Sequence, residues 1–185
     1  MLAYVFWHCA ALGVDASRYE ERLAAFHRAL RRSPSDGFVG SAAYRIQGAP
    51  WLPQAAGYED WYEVEDWAAL GALNAAAVSA RVRADHDTVA HLAAGGAGGL
   101  YRLLRAAAEP AVHSGSLWFA KPRERSYIDF TAEVEALAAG CAVWQRQMVL
   151  GPATEFCLTG PEAQCRALTL PTQWQSRWVR RSPLF

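Results

Sequence analysis

One order of elements occurs twice along the chain: a strand-like apolar run, an amphipathic helix and a strand pair, first over residues 2–65 and again over 116–159. A repeated βαββ order constrains the fold more tightly than any motif here, because few layer arrangements bury the apolar faces of such a series. Residues 2–9 are continuously apolar and aromatic up to His8, the pattern of a strand buried on both faces. Asp15 or Ser17 then caps a helix in which Tyr19, Leu23, Phe26 and Leu30 recur at helical spacing, and Ser33-Pro34 ends it. Residues 39–47 read as a second strand. In 58–65 the alternation puts Glu59, Trp61, Glu63 and Glu65 on one face and Tyr58, Asp60, Tyr62 and Val64 on the other. An alanine-rich helix over 67–82 and a helical stretch over 85–94 follow. The run Gly95-Gly96-Ala97-Gly98-Gly99 is expected to act as a helix stop or flexible hinge before a short strand over 100–104.

Residues 106–115, broken by Pro110, form the expected linker between a first half (1–105) and a second half (116–185). The second half repeats the order with shorter pieces: a strand over 117–121, a helix over 126–138, a long strand over 141–150 and another over 154–159. A short helical piece opens at Gly160-Pro161, and a closing strand is expected over 169–179. Local echoes accompany the order, Val5-Phe6-Trp7-His8 with Leu117-Trp118-Phe119-Ala120, and Tyr19 and Phe26 with Tyr127 and Val134.

In this element order, over nearly its whole length, the chain resembles the dimeric α/β-barrel proteins. That ferredoxin-like superfamily includes antibiotic-biosynthesis monooxygenases, EthD-like proteins and chlorite-dismutase-like haem proteins. The resemblance implies an α+β fold of two tandem ferredoxin-like βαββαβ units whose antiparallel sheets pack face to face as a pseudo-dimeric α/β barrel around a shared interior. It supplies no catalytic set residue by residue, so function must be argued from the residues present.

Composition narrows the classes. Lys+Arg and Asp+Glu both total 18 in 185 residues, so no net field recruits nucleic acid or an anionic membrane, and Arg177, Arg180 and Arg181 read as a solvated basic end. No apolar stretch is long enough to span a bilayer, and the N-terminus lacks a basic signal-peptide region. Cys9, Cys141, Cys157 and Cys165 show no metal spacing and read as buried cytosolic thiols. Aromatic residues reach 12%, enough to line a ligand cavity as well as fill a core.

Polar groups aimed into an apolar interior are the functional candidates, because burying them unpaired costs about 1–3 kcal/mol each. His8, in register with Tyr4 and Phe6, is placed as a general base or ligand contact, against a bland reading as a carbonyl-bonded strand-end residue. His86 and His91 lie about 140° apart around a helix and form no metal pair. His86 is the better catalytic candidate, with Asp87 too close in sequence to orient it. On the long strand Trp144, Arg146 and Met148 share a face. Arg146 is expected to meet a substrate carboxylate or to pair with Glu63 across the barrel, leaving Trp61 and Trp144 as pocket walls. Tyr101, just past the glycines, joins Trp61, Glu63, Trp144 and Met148 as an expected ligand contact.

The expectation is a cytoplasmic small-molecule-binding barrel acting as a cofactor-independent enzyme (oxygenase, cyclase or lyase) on an apolar or aromatic substrate. The alternative is a non-catalytic binding or assembly protein with a filled interior, and a haem-binding barrel is a minority third. No metal ligand set is expected, and the sequence leaves open whether the chain is a monomer or a homo-oligomer.

Overall fold

The computed structural model describes residues 1–54, 56–108 and 113–185; Pro110 of the expected linker lies outside them. In order, the elements are β1 (Leu2–Ala10), α1 (Ala16–Arg32), β2 (Phe38–Gln47), β3 (Ala56–Val64), α2 (Trp67–Ala77), α3 (Arg83–Ala90) and β4 (Ala93–Arg105). They continue as β5 (Gly115–Phe119), α4 (Tyr127–Leu137), β6 (Ala142–Arg146), β7 (Phe156–Gly160), α5 (Glu162–Ala167) and β8 (Arg177–Pro183).

The eight strands close into one barrel in the order β1-β3-β2-β8-β5-β7-β6-β4, with β4 pairing back to β1 and every pairing antiparallel. Within it, β4-β1-β3-β2 and β6-β7-β5-β8 are each a ferredoxin-like sheet. The two meet where β2 pairs β8 and β4 pairs β6. Closure of this kind leaves the barrel wall without a fully open edge strand. The architecture is the α+β barrel that the element order implies.

Alternation assigns the faces. On β1, Ala3, Val5 and Trp7 point into the barrel while Leu2, Tyr4 and Phe6 point out beneath the helices; on β3, Trp61 points in while Tyr58, Tyr62 and Val64 point out. The barrel interior is filled. Trp7, Trp118, Trp144 and Tyr101 are fully buried there, with Trp7 and Trp118 edge to face at 5.6 Å and Trp61 and Trp144 at 5.1 Å. In the middle of these rings lies an ion pair. Glu59 accepts from Arg181 Nε at 2.7 Å and from the indole N–H groups of Trp61 (2.8 Å) and Trp7 (2.7 Å). Three donors on one buried carboxylate compensate its lost hydration.

The helices of the second half seal their own layer in the same way. Phe119, Phe130, Phe156 and Trp174 are all buried and in mutual ring contact under α4. The first half is built differently. Asp15 caps α1 by accepting from the Arg18 N–H at 2.9 Å, and α1 buries Tyr19, Leu23, Phe26, His27 and Leu30 toward the sheet. α2 and α3 complete the layer without filling it.

The glycine run is not a hinge. It lies inside β4, where all but Gly95, which sits at a register shift, pair with β1: Gly98 opposite Phe6, Gly96 opposite His8. The reason is steric, since a Cβ on Gly98 would come within 2.5 Å of the Tyr4 ring, and one on Gly96 would overlap the Phe6 ring. Glycine here lets the β1 rings lie across the neighbouring strand.

Three other boundaries differ from expectation. The alanine-rich helix stops at Ala77, where Val78 leaves helical geometry and the chain turns through residues 79–82, so α3 is a separate piece. The long strand ends at Arg146 because the chain turns there, with Met148 at φ 53° and 81% exposed. The closing strand begins only at Arg177. Trp174, expected on it, sits in a 3-10 turn over Thr172–Trp174 and packs under α4 instead.

Candidate functional site

Between the outer face of β1 and β3 and the three helices of the first half lies a cavity of about 750 Å³, within the range of small-molecule sites. Tyr4, Phe6, Asp60 and Tyr62 form its floor, and Tyr19, Leu23 and Phe26 of α1 form one wall. Leu73 and Asn74 of α2 and His86 of α3 close the other, with Trp67, 56% exposed, at the mouth.

The apolar lining converges on one polar end. Asp60, 2% exposed, accepts from the Tyr62 hydroxyl at 3.0 Å and faces His8 Nε2 at 3.1 Å through the same Oδ2, while its Oδ1 lies 3.5 Å from His27 Nε2. Burial pushes the Asp60 carboxyl upward, but the charges and hydrogen bonds of His8 and His27 outweigh it and hold the pKa below the ordinary carboxylate range. With Nε2–H directed at Asp60, His8 Nδ1 is free to accept from the Tyr19 hydroxyl, 2.6 Å away. Burial first, and the Asp60 charge second, push the Tyr19 phenol upward, so it stands as a proton donor at neutral pH. Asp60, His8 and Tyr19 therefore form a continuous carboxylate–imidazole–phenol chain, and all three line the cavity.

Of the residues singled out in the sequence, the structure brings His8 and His86 to this cavity, on opposite walls. Asp87 does reach its neighbour: its Oδ1 lies 3.0 Å from His86 Nδ1, contrary to the sequence argument, because the side chains at this exposed helix end can turn toward each other. The remaining candidates lie elsewhere. Trp61, Trp144 and Tyr101 are part of the filled barrel interior, where Tyr101 donates to the Thr154 carbonyl oxygen at 3.1 Å. Arg146 does not pair with Glu63. It bonds the carbonyl oxygens of Gly151 (3.1 Å) and Ala153 (2.5 Å), tying down the turn that follows β6. Arg181 takes the role foreseen for Arg146, with Glu59 as its acid. Glu63 lines a separate cleft of about 480 Å³ with Arg31 and Ser41, and burial pushes its carboxyl upward against the pull of Arg181. Met148 is solvent-exposed on its turn.

Asp60, His27, Tyr19 and Tyr62 had no functional weight in the sequence reading. A carboxylate on the otherwise apolar face of residues 58–64, and a histidine beside Phe26 on the buried stripe of α1, were the available signals.

Fold and cavity together define a single-chain α/β barrel with a ligand-sized chamber outside the barrel wall. No family model matches the chain, and no curated protein does. Solved structures do match. A monooxygenase-like protein from Lactobacillus acidophilus NCFM superposes with TM-score 0.58 at 7% identity, covering 100% of this chain and 94% of the other. A chlorite dismutase-like protein gives 0.52 at 12% identity, with 99% and 95% covered. A mutant chlorite dismutase from Candidatus Nitrospira defluvii, in complex with cyanide, gives 0.50 at 10% identity, with 99% and 91% covered. At such identities the likeness is one of fold.

The residues present do not fit a haem. None of the described residues lining the cavity is Lys or Arg, so no guanidinium or ammonium is there to neutralise two propionates, and the Asp60 carboxylate would repel them. The cavity's inner histidine, His8, already engages both ring nitrogens. Among the described residues no group of three His, Cys, Asp or Glu side chains is arranged to hold a metal ion, and no helix is long and apolar enough to cross a membrane.

Proposed function

We propose that the chain binds a neutral, largely apolar or aromatic small molecule in the chamber beneath α1–α3 and moves a proton on it without a cofactor. The observation that carries this reading is the buried Asp60–His8–Tyr19 chain ending in an apolar cavity. A substrate proton passes to the Tyr19 oxygen as the Tyr19 proton passes to His8 Nδ1, and Asp60 stabilises the imidazolium that results. Neither a free phenolate nor an unpaired buried cation forms. Proton removal beside a carbonyl or phenol is the shared first step of oxygenation, cyclisation and elimination, which keeps all three within the reading. Among the described residues the lining holds no Lys or Arg, which disfavours carboxylate and phosphate ligands.

The non-catalytic alternative draws its support from the filled barrel interior, which removes that compartment as a site and leaves the outer chamber to bind without turnover. One experiment separates the two. Binding of 1-naphthol, followed by its fluorescence, and exchange of the α-protons of 2-tetralone in D2O, followed by NMR, are measured on wild type, Leu23→Trp and His8→Gln. Catalysis predicts that Leu23→Trp loses both and His8→Gln loses only exchange; binding without exchange in wild type selects the alternative. Four free, buried thiols support a reducing, cytoplasmic location. The matching strand order of 1–105 and 116–185 supports reading them as two joined ferredoxin-like halves.

A further inference from the structure

The helical wall of the chamber carries two polar groups that the proton chain does not use. Along α2 and α3 the lining is built from residues such as Leu70, Leu73, Ala77 and Val89, and apart from the Trp67 indole at the mouth it is interrupted only by Asn74 and His86. His86 Nδ1 lies 3.0 Å from Asp87 Oδ1, and Asp87 is outside the lining, so this contact occupies the solvent side of the imidazole. The opposite ring nitrogen, Nε2, has no partner among the described residues and is the polar edge left for a ligand. The His86 ring stands edge to face with Phe26, 5.6 Å away, and Phe26 is in turn 6.3 Å from the ring of Tyr62, whose hydroxyl donates to Asp60. One phenylalanine ring thus separates the chamber's two polar ends.

Among the described residues no Lys, Arg, Asp or Glu lines this second end, so no fixed counter-charge selects an ion there. A hydroxyl both donates and accepts. It therefore suits an imidazole nitrogen in either tautomer and either end of a carboxamide. Resting on the binding and proton-transfer reading above, we propose that His86 and Asn74 form a hydroxyl-binding subsite that determines specificity. The substrate class is then a fused-ring, aromatic or partly aromatic molecule with its reacting proton at Tyr19 and a hydroxyl on the far ring. The apolar side chains between the two ends hold the rings, and the pair of polar ends fixes which way round they lie.

Fluorescence titration with 2-naphthol and 2,6-dihydroxynaphthalene, which differ by one hydroxyl on the far ring, tests this on wild type, His86→Phe, His86→Gln, Asn74→Leu and the double variant His86→Phe/Asn74→Leu. A hydrogen bond exchanged for one to water is worth about three- to tenfold in affinity, so wild type should prefer the diol by that factor beyond the roughly twofold that its symmetry supplies. His86→Phe and Asn74→Leu should each shrink the preference. Together they should abolish or reverse it, because a hydroxyl buried without a partner opposes binding. His86→Gln, which keeps a hydrogen-bonding end, should retain part of it. A wild type without the preference overturns the proposal, a result readable even if no variant folds, and so does a preference that survives in the double variant. Diol preference without exchange of 2-tetralone would sink the catalytic reading alone. Exchange without diol preference would sink this inference alone.

Discussion

Arg181→Met should be among the most damaging single changes in the chain. Arg181 and Glu59 are 1% and 0% exposed at their side chains, and the guanidinium also covers the rings of Tyr44 and Trp61 at 4.3 and 4.7 Å. Truncating one member of a buried pair leaves the other charged and unpaired, at a cost of about 3–5 kcal/mol. Glu59 retains its two indole donors, which places the expected loss toward about 3 kcal/mol. For a domain of this size that lowers Tm by roughly 6–12 °C. The double variant Glu59→Gln/Arg181→Met removes both charges while the Gln carbonyl still accepts from an indole N–H, and most of the loss should return. Chemical denaturation of the two variants beside wild type decides the matter. A single variant within 1 kcal/mol of wild type, or a double variant no better than the single, would refute the argument that charge burial dominates here.

Gly98→Val should destabilise by about 1–3 kcal/mol, since its side chain overpacks the space of the Tyr4 ring, and should weaken 1-naphthol binding by moving the cavity floor; denaturation and fluorescence titration check both. Asp60, whose folded pKa lies below its ordinary 3.8, contributes stability above that value that is lost as pH falls beneath it; Asp60→Asn should flatten the acid limb of the stability profile. His113, pushed down to about 4 by burial and then by Arg181, binds its proton more weakly folded than unfolded. Stability should therefore decline as pH drops from 6.5 toward 4, and His113→Asn should remove that slope. The thiols of Cys141 and Cys165, 3.6 Å apart, should be joined by diamide with a mass loss of about 2 Da, as reckoned from the two hydrogens removed. Peptide mapping should find Cys157 outside the bridge.

The faces of β1 and β3 were legible because strand alternation has a period of two and both strands are long enough to show it. That is why Glu59 and Trp61 were separated correctly from Asp60 and Tyr62. Periodicity does not say which of two buried layers contains empty volume, and so Trp61, Trp144 and Tyr101 were assigned to a pocket that their own bulk fills. Arg146 was misread for a related reason. An arginine on a strand must find acceptors, but backbone carbonyls in a turn satisfy it as well as a carboxylate does, and turns such as residues 147–151 depend on tertiary packing. His27 was hidden inside a helical stripe that is apolar apart from it. The glycines of β4 were read through their own flexibility, whereas their role is set by the rings of a different strand.

The strands β1 and β3 serve two compartments at once. Odd-numbered residues of each, Glu63 apart, face the barrel interior, and even-numbered residues face the helical layer that holds the chamber, so a substitution at Tyr4, Phe6 or Tyr62 can remodel ligand preference without entering the packing that sustains the barrel. The converse holds for Val5, Trp7 and Trp61. Selection for a new ligand and selection for a sound scaffold can thus act on the same two segments nearly independently, provided the number of residues between the turns never changes by one.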